Sequence, residues 1–99
     1  MQLQAGQRLK SVACTTNVIV VRGSADDVDL RCGGHPMVGF DVDAPGADVD
    51  PTHAAGTAMG KRYAHGGIEL LCTKPGAGSL AIGVEPVTIK AAKAMPASD

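Results

Sequence analysis

Apolar and polar residues alternate in several short stretches of the chain. Residues 28–32 and 68–72 each place an apolar side chain at every second position, and residues 18–21 are apolar throughout. Alternation is typical of half-buried β-strands, and a continuous apolar run indicates a strand covered on both faces. No stretch of ten or more residues shows helical spacing of apolar positions without an interrupting Gly or Pro. The pattern therefore predicts a β protein.

Turn residues divide the chain into short predicted strands. Gly66-Gly67 is a two-residue hairpin signal, and the turn residues 23–26 predict a second hairpin between residues 11–22 and 28–32. At most one or two short helical turns are expected, around residues 53–59 and 90–94, and no internal repeat of useful length is visible. We predict a small all-β barrel or sandwich of about six to seven short antiparallel strands. The predicted strands are 11–22, 28–32, 37–42, 61–65, 68–73, 79–83 and 87–90.

A chain of 99 residues has room for one domain. We assign residues 1–92 to a single β domain with a long loop at 43–60, and residues 93–99 to a polar C-terminal tail. Only one Tyr, one Phe and no Trp are present, so the core must be built from aliphatic side chains and is thin for its size. Because self-association would add buried area, we expect a homo-oligomer or an accessory subunit of a larger enzyme.

Charge and hydropathy exclude several classes of function. The formal net charge of −1 gives no basic excess of the kind that nucleic-acid binders show. No apolar run approaches the length of a membrane span and no signal peptide is visible, so we expect a cytoplasmic protein without membrane contact. Residues 26–50 hold seven Asp against one Arg. This asymmetry fits either solvated loops or charge-steered docking of a protein partner.

The three cysteines, Cys14, Cys32 and Cys72, each share strand parity with apolar neighbours. Their odd number argues against a disulfide framework, so they are either small core residues or functional thiols. With His35 they would supply three thiolates and one imidazole for zinc or iron, or serve a redox protein. The predicted hairpin separates the first two by about 10–13 Å along the strand direction. A bulge or a crossing between sheets would be needed to bring them together.

Two further segments are candidate binding sites. The Gly33-Gly34-His35 corner is either a tight turn between sheets or a set of amides that binds an anion or a ligand carbonyl, and Cys32 beside it is a weaker candidate nucleophile. The acidic loop matches a calcium-binding loop only in part, because Pro45 stands at a ligand position. We therefore expect it to be solvated or to bind a partner through Asp41, Asp43, Asp48 and Asp50.

Paired carboxylates for acid–base catalysis are not evident, since Glu69 alternates outward between Ile68 and Leu70. The sequence therefore favours a small non-catalytic binding or assembly domain. One alternative is a metal-binding or redox protein that uses the three cysteines and His35. The other is a small enzyme or ligand-binding protein that acts at the Gly33-Gly34-His35 corner.

Overall fold

A computed structural model describes residues 2–89, which form two antiparallel sheets. The all-β prediction is confirmed, and because neither sheet closes on itself the architecture is sandwich-like and not a barrel. Within these residues there are more strands than the six or seven expected, because several are only two residues long. The strands are β1 (Arg8–Lys10), β2 (Asn17–Arg22), β3 (Leu30–Cys32), β4 (His35–Pro36), β5 (Val38–Gly39), β6 (Arg62–His65), β7 (Ile68–Lys74), β8 (Leu80–Ile82), β9 (Glu85–Pro86) and β10 (Thr88–Ile89).

The larger sheet has the order β10-β6-β7-β2-β1-β5, and the smaller sheet has the order β4-β3-β8-β9. The predicted hairpin at Gly66-Gly67 is confirmed as the β6–β7 hairpin. The other predicted hairpin is wrong, because β2 and β3 lie in different sheets. β2 pairs instead with β7 and with β1. β1 was not predicted, since Leu9 is a single apolar residue between two basic ones.

Aliphatic side chains fill the space between the sheets, as expected. Tyr63 joins this core, whereas Phe40 is 43% exposed. Each fully buried Leu or Val contributes about 1.5–3 kcal/mol to folding relative to an exposed position. The largest fully buried aliphatic side chains are Leu3, Leu9, Val18, Val20, Leu30, Met37, Leu70 and Leu80.

The two halves of the chain repeat the same arrangement of strands. Exchanging β1–β5 with β6–β10 leaves both strand orders unchanged, so strand order and pairing have an approximate two-fold symmetry. Ile19 opposite Leu71 marks the symmetric centre of the larger sheet. Little identity between the halves is left in the sequence, which is why no repeat is visible there. What the halves share is Leu30-x-Cys32-Gly33-x-x-Pro36 against Leu80-x-Ile82-Gly83-x-x-Pro86.

The β1–β2 loop breaks this symmetry. A backbone bond from Ser11 N to Thr16 O closes a four-residue loop, whereas only Gly66-Gly67 separates β6 from β7. The strand predicted at residues 11–16 is therefore wrong. Ser11 Oγ accepts hydrogen bonds from the amides of Ala13 and Cys14, which turns the chain where strand pairing was expected.

Further expectations need correction. The strand predicted at 37–42 shortens to β5, because Val42 N bonds to Gly39 O and turns the chain. A 3-10 helix, Pro51–His53, replaces the helical turn expected at 53–59. Glu69 has the outward strand parity expected of it but is only 8% exposed, and it lies 3.9 Å from Arg62. The helical turn expected at 90–94 and the tail at 93–99 lie outside the described residues.

In the part of the chain from 2 to 89, no helix is long and apolar enough to cross a membrane.

Candidate functional site

Cys14 and Cys32 meet between the two sheets, with their Sγ atoms 3.9 Å apart. Cys32 ends β3 in the smaller sheet and is fully buried, while Cys14 lies in the β1–β2 loop and is half-buried. The β1–β2 loop can approach Cys32 in this way because the chain crosses from the larger sheet to the smaller one between β2 and β3. The predicted single hairpin would have held them apart.

Three groups surround the Cys14 sulfur. The Ser11 hydroxyl lies 3.5 Å from it, the Thr16 hydroxyl lies 3.2 Å from it, and the Gly78 amide donates to it over 3.4 Å. Burial by itself raises the pKa of Cys14. The hydrogen bonds together outweigh burial and lower this pKa from 9.0 to about 7. A large share of Cys14 is therefore thiolate at neutral pH, which is the reactive form of cysteine.

A chain of hydrogen bonds leads from Cys14 to the segment that joins the two halves. Thr16 Oγ1 lies 2.8 Å from Thr57 Oγ1, which accepts from the Gly76 amide over 3.0 Å. A thiolate can only accept, and each hydroxyl has one proton. When Cys14 is ionised, Thr16 must therefore donate to the sulfur and Thr57 must donate to Thr16. We call Cys14, Thr16, Thr57 and the Gly76 amide the thiolate relay.

Glycines allow the turn between β7 and β8 to pass directly over the site. A Cβ on Gly76 would lie 2.4 Å from Thr16 Oγ1 and 2.8 Å from Cys14 Sγ. A Cβ on Gly78 would lie 2.8 Å from the Gly33 backbone. Such contacts are too short for any real side chain, so this packing requires glycine at both positions.

Cys32 differs from Cys14 in its protonation. Burial is the main cause that raises the pKa of Cys32, and the adjacent Cys14 charge raises it further, to about 11. Cys32 therefore holds its proton at pH 7, whereas about half of Cys14 is ionised there. The site combines a nucleophilic thiolate with a buried neutral thiol at 3.9 Å.

Cys72 and His35, the other two residues expected to bind metal, each make a hydrogen bond to a backbone carbonyl and not to Cys14 or Cys32. The buried Cys72 thiol donates to Lys74 O over 3.2 Å, and His35 Nε2 is 2.9 Å from Asp48 O. Among residues 2–89, no three His, Cys, Asp or Glu side chains form a group that could hold a metal ion.

Gly33 and Gly34 form the two-residue turn between β3 and β4. Their φ angles of +66° and +86° are accessible mainly to glycine. The turn lies within one sheet, with Cys32 opposite His35. The Gly33 amide already donates to Ser79 O, so it is not available to an anion or a ligand carbonyl.

The acidic loop has one carboxylate with a defined local role. The Asp50 side chain accepts from Thr52 N and Thr52 Oγ1, and these bonds hold the pKa of Asp50 below its usual value. They cap the 3-10 helix. Asp41, Asp43 and Asp48 are exposed.

Five residues at this site were not recognised in the sequence. The available signal was the Gly76-Ala77-Gly78 segment, in which two glycines occupy a turn and neither has a positive φ. Glycine is commonly needed either for a positive φ or for a close approach of the backbone to a neighbour, so these two glycines indicate the second case. The missed residues are Ser11, Thr16, Thr57, Gly76 and Gly78.

Comparison with known proteins found no matching family model, no matching curated protein and no matching solved structure.

Proposed function

We propose that this is a thiol redox protein in which Cys14 and Cys32 alternate between a dithiol and a disulfide. The observation that carries the proposal is the 3.9 Å separation between the sulfur of a partly exposed cysteine, which contacts three hydrogen-bonding groups, and the sulfur of a buried cysteine. A disulfide needs an S–S distance of about 2.05 Å, so the sulfurs must approach by about 2 Å. The β1–β2 loop that carries Cys14 belongs to no strand, and the proposal requires a shift of this loop.

A hydroperoxide, ROOH, is the oxidant class we assign. The Cys14 thiolate attacks the terminal peroxide oxygen, the O–O bond breaks, and the alkoxide leaves as ROH after taking a proton from water. Cys14 is then a sulfenic acid. The Cys32 sulfur attacks the Cys14 sulfur, Cys32 loses its proton, and the hydroxyl of the sulfenic acid leaves as water. Two molecules of an external thiol restore the dithiol by exchange and become a disulfide themselves.

The order of these steps follows from burial and charge. Cys32 is fully buried, so an oxidant in solution meets Cys14 first. The Cys14 charge is one of the causes that raise the pKa of Cys32. Conversion of Cys14 to an uncharged sulfenic acid removes that cause, so Cys32 ionises more readily once it is needed as the attacking thiol.

The experiment oxidises the reduced protein with a small excess of hydrogen peroxide, alkylates the remaining thiols, and maps the cysteines by peptide mass spectrometry. The expected product links Cys14 to Cys32 and leaves Cys72 alkylated. Cys72→Ser is the matched control and should form the same disulfide. Cys32→Ser should stop at a sulfenic acid on Cys14 that reacts with dimedone.

Three free thiols after oxidation, or a disulfide through Cys72, would contradict the proposal. Native mass spectrometry of the reduced protein tests the metal alternative in parallel. A bound zinc or iron mass that is lost in Cys14→Ser would favour that alternative.

A further inference from the structure

The outer face of the larger sheet carries an apolar centre between two arginines. Arg8 lies opposite Ile19, Ile19 lies opposite Leu71, and Leu71 lies opposite Arg62, in one row across four strands. The neighbouring positions on these strands are buried against the smaller sheet. Because side chains alternate along a strand, this row faces away from the core. Ile19 and Leu71 are partly exposed there.

Further basic residues surround this row. Lys10 and Lys74 lie on either side of Asn17, and Arg22 lies opposite Glu69. Register shifts between Asn17 and Val18 and between Val20 and Arg22 interrupt the alternation, and the resulting pairs place Lys74 and Arg22 on the same outer face. Within residues 2–89, the only ion pair of these basic side chains is the 3.9 Å contact between Arg62 and Glu69. We define the basic face as Arg8, Lys10, Arg22, Arg62 and Lys74 around Ile19 and Leu71.

An exposed acidic segment borders the basic face. Residues 40–43, here called the acidic turn, read Phe40-Asp41-Val42-Asp43. Phe40 and Val42 are 43% and 47% exposed, and the two carboxylates make no ion pair within the described residues. The turn is held beside the face, because Phe40 N bonds to Arg8 O and the Arg8 guanidinium lies 5.9 Å from the Phe40 ring.

We propose that two copies of this chain pack with their outer faces together, each placing its acidic turn on the basic face of the other. The turn offers two apolar and two acidic side chains, and the face offers two apolar side chains ringed by basic ones. Without the turns the two basic faces would repel each other, so charge complementarity is what makes the pairing favourable. Six strands about 4.8 Å apart give a face roughly 25 Å wide, the scale of a standard interface of about 800 Å² per partner.

A charge-exchange experiment tests this pairing. One variant, Arg8→Glu with Lys74→Glu, makes the face less basic. The other, Asp41→Lys with Asp43→Lys, makes the turn basic. Sedimentation velocity at low salt should show a wild-type dimer and two monomeric variants. An equimolar mixture of the variants should form a heterodimer, because each altered face then meets a complementary turn. Asp26→Lys, a comparable change outside the turn, is the control and should remain dimeric.

Two results would contradict the proposed dimer. A monomeric wild type at high protein concentration and low salt would overturn the proposal and leave the face for another acidic partner. A wild-type dimer that survives both variants would also overturn it. If a variant fails to fold, the salt dependence of the wild type decides, since this dimer must weaken as salt rises. Cysteine chemistry plays no part in the pairing, so the result is independent of the proposed redox function.

Discussion

Thr57 Oγ1 lies 2.8 Å from Thr16 Oγ1, so the segment that joins the two halves of the fold bonds to the hydroxyl that contacts Cys14. Thr57 does not touch the sulfur itself and is a positioning residue. It also accepts from the Gly76 amide, which ties the β7–β8 turn to the same relay. The thiolate form of Cys14 is therefore supported by three separate segments of the chain.

Removing the Thr57 hydroxyl should raise the pKa of Cys14. One hydrogen bond contributes about 0.5–1.5 kcal/mol and a pKa unit corresponds to 1.36 kcal/mol, so Thr57→Val should raise it by up to about one unit. The measurement is the rate of iodoacetamide alkylation against pH in Cys72→Ser protein, whose midpoint is expected at about 7 before the change. Thr57→Ser keeps the hydroxyl and should keep the midpoint. An unchanged midpoint in Thr57→Val would show that the relay does not tune Cys14.

The two thiols should give the stability of the reduced protein a maximum near pH 9. Folding lowers the pKa of Cys14 from 9.0 to about 7, so between these values the folded state binds fewer protons and stability rises with pH. Folding raises the pKa of Cys32 from 9.0 to about 11, so its contribution is lost as the pH rises through that range. Urea unfolding across this range measures both effects.

Single variants separate the two contributions to this profile. Cys14→Ser should lose the rise on the acid side, and Cys32→Ser should lose the fall on the alkaline side. Profiles that keep both slopes in both variants would assign the pH dependence to other groups.

A methyl group at Gly76 should damage the site by overpacking. Its Cβ would lie 2.4 Å from Thr16 Oγ1, and the backbone of the β7–β8 turn would have to shift. Gly76→Ala should cost about 1–3 kcal/mol of unfolding free energy and slow alkylation of Cys14. Gly46→Ala is the matched control, because its nearest atom would be 3.7 Å away and its φ is not positive. Equal stability of the two variants in urea unfolding would argue against the close approach of the turn.

The approximate two-fold symmetry suggests a variant without the β1–β2 loop. Replacing residues 12–15 by Gly-Gly gives β1–β2 the same turn length as β6–β7. Since the second half forms its strands around such a turn, we expect the variant to fold into the same two sheets and unfold cooperatively, but to lose the rapidly alkylated thiol. Circular dichroism and thiol titration check both points. A variant that cannot fold would show that the loop is needed for the core as well as for the site.

Local periodicity predicted much of the fold. Alternation around Leu30 and around Leu70 located β3 and β7, and Gly66-Gly67 located the hairpin between β6 and β7. These features depend on neighbouring residues only, since a strand shows its buried face in its own period of two. The same parity places all three cysteines on inward positions; Cys32 and Cys72 are buried as this predicts, whereas Cys14 lies in a loop and is only partly buried.

Strand partners and the candidate site depended on contacts between residues far apart in the chain. Residues 11–22 read as one strand, yet hydrogen bonds to Ser11 turn the chain and place Cys14 in a loop. The sequence by itself determined the β class, the aliphatic core and the buried parity of two cysteines, because these follow from local patterns. Only the tertiary structure decided that Cys14 meets Cys32 and that Thr57 reaches Thr16 over 41 positions of sequence. That meeting depends on which strand pairs with which, and alternation is the same for every possible partner.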